Sequence, residues 1–444
     1  MSLPQIDDAR MATSTCPWPG RGTGTSTIRT VRSPGRTTPR IGATPNTPRQ
    51  GYPTRARNPC RMPAVLARHY RSGVPVEVVW EGGRITAAAP ADPAAGRPDA
   101  WIAPGLLDIQ VNGYAGLDFS RPEHLRRIAA ALAAHGVARF CPTVITAAPE
   151  IMEAALASIA SALDTDAVLR DAVPGIHVEG PYISDLDGPR GAHPRAYVRD
   201  PDWAHFERLR RAAGGYIKIV TLAPERPGSE AFIARVTADG ILVAIGHTAA
   251  DGEAVRRAVN AGARLSTHLG NGLAATIDRH RNPLWPQLAS RPLAASFIAD
   301  GHHLPPDALA AMMAAKGAER CVLVSDAVLH AGLPPGRYPG IGGGEVEVFA
   351  SGRVQLAGTP YLAGSGAHLA HCVAHAAAVG AASLPDALDM AGLHPAHLLG
   401  LPTPALEPGA PADLLVYRRG TGPALQVLAT VRAGEIVHGR PPAL

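Results

Sequence analysis

Three residues of this chain have the chemical type and the setting to hold a divalent metal ion: Glu179, His247 and His268. Each ends an apolar run. Gly175-Ile176-His177-Val178 leads into Glu179 and stops at Gly180-Pro181. Ile241-Leu242-Val243-Ala244-Ile245-Gly246 delivers His247, and Arg264-Leu265-Ser266-Thr267 delivers His268. A short apolar run closed by Gly or Pro reads as a strand buried on both faces. A carboxylate at the tip of such a strand is costly unless something cationic meets it. One Glu and two His are ligands that zinc and iron accept, and three protein ligands leave a position open for water, the catalytic pattern. The spacings, 68 residues from Glu179 to His247 and 21 from His247 to His268, form no local motif. They make sense only if a closed fold brings the strand tips together. A single His on an apolar strand is more often a satisfied core group; three ligand types at neighbouring tips favour a metal. The chemistry expected is metal-dependent hydrolysis.

Asp326, in Leu323-Val324-Ser325-Asp326-Ala327, is the candidate general acid and base. A carboxylate beside activated water can take its proton and pass it to a leaving amine. The alternative is a helix N-cap, for which Asp is well suited; its place after the eighth candidate strand favours catalysis. The first candidate strand carries Asp108 and Gln110 where a second metal would want histidines. An amide is a poor zinc ligand, so one metal is expected, and Asn112-Gly113 reads as a turn. Three other patterns are set aside. His371 and His375 share a helix face, but Cys372 stands where a zincin needs Glu. Gly342-Gly343-Gly344 has no following Gly-Lys-Ser/Thr, and Gly364-Ser365-Gly366 lacks the glycine spacing of a nucleophile elbow.

The elements that must carry these groups alternate strand and helix. Candidate strands end near Asp108–Asn112, Cys141–Thr143, Glu179, Thr221, His247, His268, Asp300 and Asp326. Ala-rich amphipathic stretches at Glu123–His135, Ile151–Leu163, Glu253–Ala261 and Pro306–Ala315 lie between several of them. This pattern predicts parallel βαβ units, and eight of them predict a (β/α)₈ TIM-like α/β barrel over residues 101–400, its active site at the C-terminal strand ends. Short β signals in 61–100 and 401–444 predict a small β-sandwich domain built from both ends of the chain. Arg337–Gly358 reads as an inserted hairpin, followed by helices at Ala363–Val379 and Leu384–Leu399.

Residues 1–60, rich in Arg, Thr and Pro without apolar periodicity, are expected to be disordered. Their composition resembles an organelle transit peptide; the plainer reading is an extension without function. Nine arginines there face only Asp7 and Asp8, so much of the formal charge of +5 is local and a nucleic-acid partner is not implied. Five scattered cysteines form no Cys-x-x-Cys pair, which points to a reducing, cytoplasmic setting. No apolar run of about 18 residues exists to span a membrane.

His177-Val-Glu179-Gly-Pro181, Gly246-His247-Thr248, Thr267-His268-Leu269-Gly270-Asn271, Ala299-Asp300-Gly301-His302-His303 and Ser325-Asp326-Ala327 together resemble the N-acetylglucosamine-6-phosphate deacetylase family of the amidohydrolase superfamily. The likeness runs in order from about residue 101 to 440. It implies one divalent metal per subunit, zinc with ferrous iron as the alternative, on Glu179, His247 and His268. It implies Asp326 as proton shuttle and His193, beside Ala192, as the group that polarises the acetyl carbonyl. Asn271 and Gly272 would contact phosphate, Asp300 and His303 would reach the sugar, in a homodimer from the facing subunit, and Leu362-Ala363-Gly364 would close over the substrate. This chain has Gly270-Asn271-Gly272-Leu273 where the family usually has Tyr-Asn-Ala-Met. Among Arg279, His280 and Arg281, Arg281 is the choice for the phosphate clamp, at the cost of a two-residue insertion. Hydrolysis of an amide without phosphate is the alternative activity, and a non-catalytic sugar-binding barrel the remaining one.

Overall fold

The computed structural model describes residues 63–92, 98–340, 344–359, 361–420 and 424–442. The expected disorder of the first sixty residues and the glycines Gly342 and Gly343 lie outside the described residues.

Short strands gather from both ends of the chain. β1 (Ala64–His69), β2 (Pro75–Glu81), β3 (Arg84–Pro90) and β4 (Trp101–Pro104) come from the front, and the last three strands from the back. The barrel follows as β5 (Leu106–Val111), β6 (Val137–Ile145), β7 (Ile176–Glu179), β8 (Ile217–Leu222), β9 (Leu242–Ile245), β10 (Leu265–Ser266), β11 (Ala294–Ile298) and β12 (Cys321–Val324). All eight pair in parallel in sequence order. Every residue of β5, β7, β11 and β12 is buried, as strands covered on both faces must be. Backbone bonds from Asp326 N to Gln110 O (3.0 Å) and from Asn112 N to Ala327 O (2.7 Å) close the eighth strand onto the first.

The helices between strands start where the chain supplies starting signals. Pro122, Pro149 and Pro306 occupy the first helical turn, where a missing N–H costs nothing. Asp202 and Asp251 cap the helices Trp203–Ala212 and Gly252–Ala261 with side-chain bonds to free backbone N–H groups. Among the described residues no helix is long and apolar enough to cross a membrane.

After β12 the structure departs from the sequence reading. Instead of a hairpin and then a helix from Ala363, four antiparallel strands follow: β13 (Gly336–Pro339), β14 (Glu345–Val348), β15 (Arg353–Leu356) and β16 (Leu362–Ser365). The helix begins only at Leu369, capped by His368. Gly364 is the reason: its φ is +82°, and a Cβ there would lie 2.2 Å from Val328 Cγ1. A helix can use neither feature. The expected single helix Leu384–Leu399 is two, Leu384–Met390 and Leu393–Leu398, broken at Gly392. The break puts Pro395 in a first turn, where its missing N–H is tolerated.

The small domain is one seven-stranded sheet that includes β17 (Leu414–Arg419), β18 (Leu425–Arg432) and β19 (Glu435–Gly439). It curls until its far edge meets its other half. Ile85 N donates to Ala410 O (2.9 Å), and Trp80 Nε1 to Gly434 O (2.8 Å). Val65, Val78, Trp80, Ile85, Ile102, Leu414, Val416 and Val431 fill the enclosed core, which gives the sandwich character expected from sequence. Tyr70 Oη donates to Asp389 Oδ1 (2.7 Å) and ties this domain to the barrel.

Candidate active site

At the C-terminal mouth of the barrel, three strand tips turn their polar residues toward one point. His247, His268 and Asp326 all have positive φ (+52°, +31° and +50°), a left-handed conformation that costs a non-glycine residue energy. Such residues persist where the surroundings over-determine them. Here His268 N donates to Ser296 Oγ (2.7 Å), and Asp326 is bonded on both sides of the peptide, its N to Gln110 O and its O from Ser365 N (3.2 Å).

The side chains converge tightly. His268 Nε2 lies 3.0 Å from Glu179 Oε1 and 3.1 Å from His247 Nε2, and His247 Nε2 lies 3.2 Å from the same oxygen. His193 Nε2 joins from the side at 3.3 Å from His247 Nε2. Glu179, His193 and His247 thus form a cluster whose ligand atoms all lie within 4.8 Å of one another, with His268 in contact with two of them. His247 Nδ1 donates to Pro189 O at 2.9 Å, which turns Nε2 toward the centre. There His247 Nε2, the Glu179 oxygen and His268 Nε2 crowd one point. Burial opposes charge on Glu179, yet the bonds and charges of His247 and His268 hold its carboxyl well below the usual range. The Glu179 carboxylate likewise pulls His268 upward against the effect of burial. A cation satisfies all three atoms at once, so the residues present fit a bound divalent metal.

Behind the centre lies a second set of bonds. Gln110 Nε2 donates to Glu179 Oε1 (3.0 Å). His177 Nε2 meets Thr221 Oγ1 at 2.8 Å, and Thr221 meets Thr267 Oγ1 at 2.8 Å, bracing the strands that carry Glu179 and His268. Thr146 Oγ1 lies 2.8 Å from His193 Nδ1. Burial first, then the neighbouring His247, pushes His193 down to about 3, so it is a neutral imidazole.

Asp326 stands across the mouth, half-buried, with Asn112 Nδ2 donating to its Oδ1 (2.7 Å). Burial first and the Glu179 charge second push it up to about 6. That value suits a group that must both take and return a proton near neutrality.

The expected substrate-side residues divide in two. Asp300 Oδ2 faces His303 Nδ1 at 2.8 Å, and its Oδ1 accepts from the backbone N of His302 and His303. Burial alone would raise the Asp300 carboxyl, but those bonds and His303 hold it far below the ordinary range. Within the chain the His303 charge acts to lower the Asp326 carboxyl, against the larger effects of burial and Glu179. Leu362, Ala363 and Gly364 form β16, whose end pairs at Ser365 with Ala327, one residue from Asp326. Asn271 N and Nδ2 both donate to His268 O, at 3.0 and 3.2 Å, and Gly272 packs on the His247 ring. Ala192 is exposed beside His193. Arg281 is not gathered with the others. Arg279, His280 and Arg281 are all exposed, and among the described residues Arg281 is tied only through its backbone N to Asp278 Oδ1 (2.6 Å).

From sequence, Gln110 and Asn112 read as polar strand-tip residues, Gln110 a poor zinc ligand and Asn112 part of a turn, and Thr221 as a strand end; Thr146 and Thr267 carry no signal that sets them apart.

No family model matches the chain. Among curated relatives, the human N-acetylglucosamine-6-phosphate deacetylase is 38% identical over 352 residues, covering 76% of this chain and 83% of that protein. An N-acetylgalactosamine-6-phosphate deacetylase of Shewanella sp. (strain ANA-3) is 34% identical over 341 residues, covering 75% of this chain and 82% of that one. Of solved structures, the N-acetyl-D-glucosamine-6-phosphate deacetylase of Mycobacterium smegmatis superposes with a TM-score of 0.74 at 32% identity, over 82% of this chain and 96% of that one. An aspartate-to-alanine variant of the M. smegmatis enzyme, in complex with N-acetyl-D-glucosamine-6-phosphate, gives the same TM-score at 30% identity, over 84% of this chain and 99% of that one.

Proposed function

The chain belongs to the N-acetylglucosamine-6-phosphate deacetylase family of amidohydrolases, and from that premise we propose that it hydrolyses the N-acetyl amide of N-acetylglucosamine-6-phosphate to glucosamine-6-phosphate and acetate. The observation that carries the reading is the facing arrangement of a three-atom metal seat (Glu179 Oε1, His247 Nε2, His268 Nε2) and a carboxylate raised toward neutrality, Asp326. Zinc is the ion we assign, with ferrous iron able to take the same ligands. Bound there, such an ion acts as a Lewis acid toward the acetyl oxygen and makes water a stronger nucleophile.

The chain's own residues supply the proton traffic. Asp326, ionised above its raised pKa, takes a proton from the attacking water. It then delivers that proton to the amide nitrogen as the C–N bond breaks, leaving acetate and the free amine. His193 has the tautomer for oxyanion stabilisation if the Thr146 hydroxyl donates to its Nδ1, which leaves Nε2–H free to donate to the oxygen that gains charge. Its depressed pKa keeps it a neutral donor. Asp300 and His303 bind sugar hydroxyls, Leu362–Gly364 with Ala192 line the mouth, and Asn271, Gly272 and Arg281 meet the phosphate. We assign the working form as a homodimer. The buried free thiols Cys141, Cys321 and Cys372 fit a reducing cytoplasm.

The test is acetate release by purified, metal-reconstituted protein from N-acetylglucosamine-6-phosphate, its 4-epimer and the unphosphorylated sugar. Turnover of the first above the other two supports the reading. Turnover that ignores the phosphate would replace it with an amidohydrolase of another substrate.

A further inference from the structure

β5 carries Asp108 and Gln110 near its C-terminal end, and Asn112 directly follows its last residue. Gln110 reaches the metal seat. The other two converge on the turn that carries Asp326. Asp108 is fully buried, and its Oδ1 accepts from Ser325 N at 3.2 Å and from Gln110 N at 3.3 Å. Ser325 Oγ in turn accepts from Ala327 N at 3.1 Å, so the residues on both sides of Asp326 are fixed. Asn112 holds the Asp326 side chain itself, through Nδ2 to Oδ1 at 2.7 Å. Among the described residues its own carbonyl, Asn112 Oδ1, meets no hydrogen-bond partner, so the contact with Asp326 is what orients the Asn112 amide.

We infer that Asn112 is a positioning residue for the hydrolysis: by engaging Asp326 Oδ1 it fixes the carboxylate plane and leaves Oδ2 as the oxygen that exchanges protons with water and amine, with Asp108 pinning the turn beneath. Among the described residues no hydrogen bond reaches Asp326 Oδ2. The left-handed backbone of Asp326 is held by Gln110 O and Ser365 N, and the Asn112 contact fixes its side chain. The inference rests on the deacetylase reading above, and its consequence is specific. Asn112 acts on turnover through Asp326 and on nothing else.

The experiment is a double-mutant cycle in the metal-loaded full chain with N-acetylglucosamine-6-phosphate. Asn112→Leu keeps the bulk of the side chain and removes the donor; Asn112→Ala guards against a variant that packs badly. Either substitution should lower kcat about 10²-fold, the scale of losing a positioned contact at the reacting group, with KM within about threefold. Metal content per chain should not change. Placed in the Asp326→Asn background, and read by single turnover, Asn112→Leu should have almost no further effect. A wild-type kcat in both Asn112 variants would overturn the inference, as would full additivity with Asp326→Asn or loss of metal. A wild-type enzyme that releases no acetate would instead defeat the deacetylase reading itself.

Discussion

The strand-tip centre and the loop that follows it, Gly270–Asn282, lie next to each other in sequence and are built in opposite ways. In the centre, Glu179, His247 and His268 are all buried, and each is held by its own strand and by bonds from residues behind it. In the loop, residues 275–281 are all exposed, and Asp278 bonds mainly to the backbone of its own turn. The loop offers Arg279, His280 and Arg281 to solvent and commits none of them. The chemistry we propose is mounted on the sheet, whereas the phosphate recognition we propose falls to a surface loop.

If that division is right, damage to the two regions must differ in kind. The largest effect belongs to the metal seat. Glu179→Ala, or exhaustive chelation of the wild type, should abolish turnover by more than about 10³-fold, with elemental analysis showing the ion lost. Retained metal and activity in Glu179→Ala would move the seat to the His193 side of the cluster. The loop should give a smaller and different effect. Arg281→Ala should raise KM for the phosphorylated sugar by about 10- to 100-fold, the scale of one charge-assisted bond, with kcat nearly unchanged. The unphosphorylated sugar should not notice the change. A fall in kcat instead would place Arg281 in the chemistry and erase the contrast.

The smallest effect lies outside both regions. Lys316, one of only two lysines in the chain, is buried and donates to Gln287 O (2.7 Å) and Ser290 O (2.9 Å). Burial first, then Arg320, pushes its pKa down to about 8, from 10.5 when unfolded. Between those values the unfolded chain binds more protons than the folded one, so stability rises with pH across the window. Denaturant titrations of wild type and Lys316→Met should therefore show the wild type gaining relative to the variant from pH 8 to 10. A constant difference would mean the lysine titrates normally.

The same contrast explains what the sequence disclosed. Glu179, His247, His268 and Asp326 stood out in the sequence because a charged or imidazole residue ending an apolar strand is a local conflict, and the structure brings the first three side chains together at the barrel mouth. All eight barrel strands end within a few residues of where that signal places them. The four-stranded insertion was not legible as such, because the left-handed Gly364 and its contact with Val328 are set by tertiary packing, and an Ala-rich stretch beside it reads as helix. The break at Gly392 was visible in principle, through Pro395. Thr146, Thr221 and Thr267 gained no role from sequence because a threonine in a strand is ordinary; only the closed barrel turns three of them into braces. The proposed phosphate side was least legible for the physical reason already given: an exposed loop with three basic side chains imposes no conflict that the sequence must resolve.

The most direct test of the account is the turnover of Asp326→Asn with metal and substrate binding measured on the same preparation. The substitution keeps the shape and removes the base. The account predicts one metal per chain as in the wild type, a dissociation constant for N-acetylglucosamine-6-phosphate within a few-fold of wild type, and kcat reduced by at least about 10²- to 10⁴-fold, the range general acid–base catalysis supplies. A variant that binds both and still turns over like the wild type would contradict it, and the proton shuttle would have to be sought elsewhere in the barrel mouth.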